Sequence, residues 1–409
     1  MKVTINMLYT LLLGVLLLLS GCSEGSSNTE SQSVDSEEKI KEKKWSVCLA
    51  DSDMKRFEHW IVGDPYWGYH EGLVCKAMLD MYEYTGDEKY FDFVKGFGEN
   101  IIEDNGTIRT YRMEAYNIDN INSGKILIPL YQKTGEEKYR QALDTLMRQL
   151  EDHPRVSDGG FWHKLKYPHQ VWLDGLYMAG PFLAAYGNAF DQPKDIDDAV
   201  SQLKEAYKVL YDPEKHLPYH GWDESREQAW ANKETGLSAN FWSRSIGWYL
   251  MAIVDVLDYL PENYERRDQL IEIAKNIAVG LKNYQDHETG TWYQVTDQGD
   301  REGNYLESSG TAMFVYFLYK GVREGYLPDE YLVIAHKGYE GLVNEFFRVE
   351  EDGTVSVTDG CAVAGLGGDG NRDGSFGYYI SEPIKDNDPK ATAPAIMASI
   401  EHERSLNNK

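Results

Sequence analysis

Two nine-residue stretches, "YEYTGDEKY" at 82–90 and "YQKTGEEKY" at 131–139, lie 49 residues apart and share Tyr, Thr-Gly, Glu-Lys and Tyr at matching places. That spacing is the length of a helical hairpin with its connections. In each copy an apolar-periodic segment stops at Thr-Gly, where glycine reaches the left-handed conformation that ends helices, and an acidic first turn opens the next helix. Weaker forms of the same tight junction fall near Asp191–Lys194, Leu260–Asn263 and Leu327–Glu330. A chain that folds back at such intervals is confined to stacks or rings of helix pairs.

A second kind of junction alternates with the first. "EDNGTIRTYR", "SDGGFWHKLKYPH", "DPEKHLPYHGWD", "HETGTWYQVTD" and "EDGTVSVTDG", starting at 103, 157, 212, 287 and 351, are longer and combine a turn with a few β-prone residues. About twelve helical segments fit between the junctions, among them 46–60, 117–132, 169–187 and 263–283. Six hairpins in sequence predict an all-α fold, an (α/α)6 toroid with inner and outer helix rings, against an open α-solenoid as the competing arrangement. The long loops then share one face, at the N-terminal ends of the inner helices, and an active site is expected there. Those ends read "YHEGL" (69–73), "YNIDNI" (116–121), "HQVWLDG" (169–175), "NFWSRSIGW" (240–248), "LESSGTAM" (306–313) and "NDPKATAP" (387–394).

Asp174 stands out in this frame. If 169–187 is helical throughout, its neighbours three and four positions away are Gln170, Val171, Tyr177 and Met178, none of them basic. Apolar surroundings disfavour the charged carboxylate, so its pKa is expected to rise and the group could deliver a proton. Capping of backbone amides or pairing with a distant Arg is the structural alternative. Gly175, Gly180 and Pro181 in the same segment each cost helix stability, about 1 kcal/mol per Gly and about 3 for Pro, which packing or function must offset. Asp119 occupies the equivalent start of the preceding inner helix, where an N-cap is the simpler role. Two carboxyls on neighbouring inner helices form the kind of pair that glycoside hydrolysis uses.

Cationic and aromatic residues collect on the same expected face. "FWHKLKYPH" contributes His163, Lys164, Lys166 and His169, "HGWD" contributes His220, and "FWSRSIGW" contributes Trp242, Arg244 and Trp248. The chain carries a formal net charge of −26, which argues against nucleic acid as a partner. A local cationic pocket would reconcile that charge with a carboxylate-bearing ligand. The 29 Tyr and 10 Trp provide rings that can stack on sugars as well as fill cores.

Residues 1–21 read as an export signal, with an apolar run from Met7 to Leu19 that is short for a membrane span. "LSGC" resembles a bacterial lipobox with Cys22 as the lipidated residue, and 22–44, rich in Ser and Glu, reads as a flexible tether before a single catalytic domain at 45–409. The expectation is an exported, membrane-anchored lipoprotein, periplasmic or surface facing, with a monomer favoured. Cys48, Cys75 and Cys361 allow at most one disulfide and form no zinc pattern; buried free thiols are the simpler reading. "DGNRDG" (369–374) mimics the opening of a calcium loop, but Ile380 stands where the closing Glu belongs.

At "WHKLKYPHQVWLDGLYMAGPFLAAY", "NIDNINSGKILIPLYQKTGEEKY", "HGWD" and "FWSRSIGWYLMAIVDVL" the chain resembles the unsaturated glucuronyl and rhamnogalacturonyl hydrolases, glycoside hydrolase families 88 and 105, the second more closely. The resemblance spans about 46–404 and implies an (α/α)6 toroid acting without cofactor or metal on oligosaccharides left by polysaccharide lyases. Their non-reducing end is a 4,5-unsaturated uronic acid. Protonation at C4 develops oxocarbenium character at C5, water adds there, and the hemiketal opens and expels the remaining sugar. The resemblance makes Asp174 the proton donor and Asp119 its partner. It places His163, Lys164, His220 and Arg244 on the ring hydroxyls, the carboxylate or the rest of the chain, with Tyr69, Trp172, Trp242 and Trp248 as stacking walls. Tyr66 and Trp67 rival Tyr69. "NDPKATAPAIMAS" departs from the "KGVG" helix start expected there, which leaves the sugar preference open between pectic, ulvan and glycosaminoglycan fragments. Competing functions are an inverting toroidal glycosidase on intact polysaccharide, with Asp119 as base, and a non-catalytic glycan-binding lipoprotein.

Overall fold

The computed structural model describes residues 44–368 and 372–407. The export signal, Cys22, nearly all of the tether and residues 369–371 of the calcium-like stretch lie outside the described residues. The helices, in chain order, are α1 (Trp45–Arg56), α2 (His59–Val62), α3 (Tyr69–Thr85), α4 (Glu88–Ile101), α5 (Gly124–Thr134), α6 (Glu137–Glu151), α7 (Leu173–Ala189), α8 (Pro193–Leu210), α9 (Ser243–Leu257), α10 (Arg267–Tyr284), α11 (Ser308–Arg323), α12 (Tyr331–Phe346), α13 (Phe376–Ser381) and α14 (Pro389–Asn407).

Six of these, α3, α5, α7, α9, α11 and α14, form an inner ring in which each packs on the next and α14 closes onto α3. The fold is therefore the expected (α/α)6 toroid. Its outer helices α4, α6, α8, α10 and α12 each pack against the inner helix that precedes them, whereas the sixth pair joins the two ends of the domain, α14 with α1. Burial separates the two rings. In α6 the buried residues Tyr139, Ala142, Leu143, Leu146, Met147 and Leu150 recur at helical spacing on one face. In α9 every residue from Ser243 to Leu257 is buried, as expected of a helix enclosed on all sides. Close approach inside the ring needs small residues: a Cβ at Gly72 would lie 2.3 Å from the Ser123 hydroxyl oxygen, so α3 and the segment before α5 meet only through glycine.

The repeated sequence has repeated wiring. Thr85 and Thr134 donate their hydroxyls back to Met81 and Leu130, at 2.6 and 2.7 Å, and accept from Asp87 N and Glu136 N, each at 3.2 Å. Gly86 and Gly135 then take φ of 72° and 71° as left-handed helix ends.

The structure corrects several boundaries. The 46–60 segment divides into α1 and α2, 117–132 opens with a 3-10 turn at Ile118–Ile121 before α5, and α10 begins at Arg267 rather than 263. More consequentially, 169–187 is not one helix. His169 has a φ of 63°, and Gln170–Trp172, with β-branched and aromatic side chains, forms strand β1 against Gly221–Asp223. Helix α7 starts at Leu173, so Gln170 and Val171 are strand neighbours of Asp174 rather than residues on its helical face. Among the described residues no helix is long and apolar enough to cross a membrane. Cys48, Cys75 and Cys361 form no disulfide, and the last two are buried.

Since no atom lies within 4 Å of a Cβ built at Gly135, its substitution isolates the backbone conformation. Gly135→Ala should lower unfolding free energy by about 1 kcal/mol, and Gly135→Asn by less, as read from urea denaturation followed by circular dichroism.

Candidate functional site

The N-terminal ends of the inner helices surround a cleft of about 240 Å³. Tyr69, Asp119, Asp174, Trp242, Arg244, Trp248 and Lys390 all reach it from these ends, with His163, Lys164 and Trp172 added by the loop before α7. Oriented helix N-termini favour anions, and the cationic side chains at the wall, Lys164, Arg244, Arg372 and Lys390, outnumber the two carboxyls, Asp119 and Asp174. The cleft is thus a positive interior in an acidic protein.

Asp119 sits in the Ile118–Ile121 turn, where the Asn117 side chain accepts its backbone N–H. The loop is drawn onto this turn by backbone pairing, Ile118 N to His163 O at 3.2 Å and Leu165 N to Tyr116 O at 3.1 Å. That pairing sets Lys164 Nζ 2.5 Å from Asp119 Oδ2 and His163 Nε2 3.6 Å from Oδ1. Burial is the largest single influence and pushes the Asp119 carboxyl up, but the charge and hydrogen bond of Lys164, together with the neighbouring His163 and His70, outweigh it and hold the group below the usual carboxylate range. Asp119 is ionised and ion-paired with Lys164, and the turn is capped by Asn117 rather than by Asp119. For His163 burial dominates and lowers the ring to about 4, so it stays neutral. The ring stacks on Trp172 at 4.3 Å, and Tyr167 also stacks on Trp172, at 5.0 Å.

Asp174 is the second residue of α7. The β1 ladder positions its partner: Trp172 pairs with Gly221, and Leu173 N donates to His220 O at 3.0 Å. His220 is fully buried, with Nε2 3.1 Å from Asp174 Oδ2 and Nδ1 2.7 Å from the Tyr379 hydroxyl. The first of these is close enough for ion pairing, yet neither atom has an aligned hydrogen bond. His220 stands behind Asp174 rather than in the cleft wall.

Arg244 is buried, donates to Cys361 O, and leaves Nε and Nη1 without partners. Burial opposes its charge, but the groups around Cys361 and Glu307 outweigh it and keep the guanidinium charged. Such an orphaned cation facing a cleft is suited to a carboxylate. Trp242 donates from Nε1 to Gln294 at 3.0 Å and lies under Arg244, 5.0 Å from its centre, while Trp248 stacks on Tyr177 at 4.9 Å. Tyr69 rather than its rivals reaches the site, since Trp67 is fully buried on Asn120 O and Tyr66 is 58% exposed outside the cleft. Lys166 and His169 do not line the cleft: the first lies beside the Tyr167 ring, and the second packs tilted against Trp162.

Sequence reasoning missed Tyr167, Arg372, Tyr379 and Lys390. Lys390 had a signal, because "NDPKATAP" is an inner-helix start like the others. Its Nζ binds Asp388 at 2.6 Å and His70 at 3.0 Å, and burial, then Arg244, lowers it to about 8. A larger cavity, about 830 Å³, opens where the inner helices end, among Glu83, Lys133, Ala189, Tyr259, Glu324 and Arg404. Most of its deeper charged residues are matched to each other, Lys320 with Asp255 and Asp258 and Lys76 with Asp80, while Lys125 donates to Tyr177 O at 3.1 Å. Size alone therefore does not mark the site; the orphaned guanidinium of Arg244 beside two carboxyls does.

The sequence pattern of Glycosyl Hydrolase Family 88 matches residues 45–406. A glycoside hydrolase from family 105 of C. acetobutylicum is 47% identical, with a TM-score of 0.86 over 88% of this chain and 100% of that one. The unsaturated rhamnogalacturonyl hydrolase YesR of Bacillus subtilis is 26% identical over 304 residues, 73% of this chain and 80% of its own length. The 24.9 kDa protein in the picA locus of Rhizobium radiobacter is 37% identical over 230 residues, covering 55% of this chain and 97% of that protein.

Removing Lys164 tests the electrostatics of Asp119. A depressed carboxyl stabilises the fold above its unfolded pKa of about 3.9 and loses that contribution as pH falls through the folded value. In Lys164→Met, burial is no longer opposed by the ammonium. The Asp119 carboxyl should then titrate above the ordinary range by carbon-13 NMR, and stability at neutral pH should drop by roughly 3 kcal/mol.

Proposed function

This chain belongs with the glycoside hydrolases of families 88 and 105, and from that premise we propose that it removes the 4,5-unsaturated uronic acid from the non-reducing end of lyase-generated oligosaccharides. Asp174 is the proton donor. The observation that carries this assignment is the inequality of the two carboxyls in the cleft: Lys164 holds Asp119 in its ionised form, whereas Asp174 pairs with no lysine or arginine among the described residues and has the His220 ring beside it at 3.1 Å. A cleft of about 240 Å³ is smaller than the roughly 300–1,000 Å³ of a drug-sized ligand's pocket and suits a terminal ring held end-on.

In this reading Arg244 receives the uronate carboxylate. The Trp172, Trp242 and Trp248 rings bound the flat unsaturated ring, and Lys164 and His163 meet its hydroxyls alongside Asp119. Asp174 protonates C4, and the positive charge that develops at C5 and the ring oxygen is met by the Asp119 carboxylate. The Asp174 carboxylate left behind then orients and deprotonates the water that adds at C5. The hemiketal opens and releases the rest of the oligosaccharide. Similarity to YesR favours a rhamnogalacturonan-type substrate. An export signal at 1–21 and lipidation at Cys22 would place the enzyme outside the cytoplasm as an anchored lipoprotein.

The purified chain should erase the ultraviolet absorbance of the conjugated double bond in unsaturated rhamnogalacturonan oligosaccharides. Asp174→Asn should slow this by about 10³-fold with an unchanged circular dichroism spectrum. Persistence of the absorbance across pectic, ulvan and glycosaminoglycan products would sink the proposal, and full activity of Asp174→Asn would remove Asp174 from its role. For the anchor, Cys22→Ala expressed in a bacterial host should move the protein from the membrane fraction to the soluble one.

A further inference from the structure

His220 is held between two groups that the catalytic assignment uses unequally. Its Nε2 lies 3.1 Å from Asp174 Oδ2, and its Nδ1 lies 2.7 Å from the hydroxyl of Tyr379. Tyr379 comes from α13, in the segment that leads from the outer ring to the last inner helix. It is fully buried, and its backbone carbonyl accepts Gln294 Nε2 at 3.2 Å. The ring stacks on Trp242 at 6.1 Å. Gln294 also accepts from Trp242 Nε1, so the phenol is fixed to the cleft wall through two contacts. Burial, its largest influence, raises the Tyr379 hydroxyl well above the usual phenol range, and the group keeps its proton.

That single proton decides the state of the histidine. Among the described residues the Tyr379 hydroxyl has no hydrogen-bond partner except His220, and a buried O–H left without an acceptor costs about 1–3 kcal/mol. The O–H therefore donates to Nδ1. A ring nitrogen that accepts a hydrogen bond carries no proton, so the imidazole holds its N–H at Nε2, on the side of Asp174. Asp174 Oδ2 is buried against this edge, which leaves Oδ1 as the oxygen open to the cleft. Catalytic hydrogen bonds are often misaligned before substrate binds and tighten afterwards, as the unaligned 3.1 Å approach requires here.

We propose that Tyr379 is a positioning residue for the reaction: by donating to His220 Nδ1 it fixes the Nε2–H tautomer, which engages Asp174 Oδ2 and leaves the transferable proton on Oδ1, facing the substrate. This rests on Asp174 as the proton donor. The chemistry balances without another reactant, since Tyr379 and His220 keep their protons throughout and Asp174 gives one to C4 and regains one from water.

The test is nitrogen-15 NMR of the full chain with labelled histidine, without substrate, with the His220 signals assigned by their loss in His220→Gln. The expected result is an Nε2–H pattern in the native protein that changes toward Nδ1–H in Tyr379→Phe, whose ring preserves the packing. Turnover of that variant should fall about tenfold or more, the scale seen when a histidine loses its orienting partner, with KM unchanged. An Nδ1–H pattern in the native protein overturns the proposal, as does an Nε2–H pattern that survives in Tyr379→Phe, or native turnover in that variant. The tautomer is read without catalysis. A shifted tautomer in Tyr379→Phe together with a fully active Asp174→Asn would therefore condemn the assignment of the acid, not the link from Tyr379 to His220.

Discussion

Ring closure by α14 is the constraint on which the rest depends. This helix packs against α3 on one side and against α1 on the outside, so the last described helix of the domain completes both rings at once. Specific bonds join elements far apart in sequence. Ser46 donates from its backbone and its hydroxyl to Glu403, Arg404 reaches Glu83, and Lys390 meets His70 across the closure. An open solenoid would leave the inner faces of α3 and α14 exposed. Closure instead buries α14 continuously from Lys390 to Glu401 and brings the starts of α3, α7, α9 and α14, with the turn before α5, to one cleft. The electrostatic character of the site is thus a property of the closed ring, not of any single motif.

Within that ring, how legible a feature was in the sequence followed how local its cause is. The Thr-Gly junctions were readable because each needs only a hydroxyl, a glycine and the preceding turn, all contiguous. The inner-helix starts were readable because long and short junctions alternate, and nine of the ten proposed catalytic or binding residues line the cleft, with His220 directly behind Asp174. The first turn of 169–187 was misread because β1 exists only through its pairing with Gly221–Asp223, about fifty residues away. Lys390 was passed over although it follows the same positional rule as the others. Tyr379 offered no pattern at all: it lies in a short helix outside the repeat, and its importance comes from a contact with His220 that spans 159 residues.

The two carboxyls show how one cleft can give two carboxyls different neighbours. Both come from inner-helix starts, and both are mostly buried. Burial alone therefore does not tell them apart. What separates them is the neighbour each receives from its loop: an ammonium at 2.5 Å for Asp119, and an imidazole at 3.1 Å for Asp174. A lysine contributes a permanent charge that favours the carboxylate outright, whereas a histidine whose proton is placed by Tyr379 contributes a directed dipole. A directed N–H favours one oxygen of Asp174 and leaves the other free. The difference between the two carboxyls on which the proposed division of labour rests therefore originates in the loops, while the toroid supplies only their places.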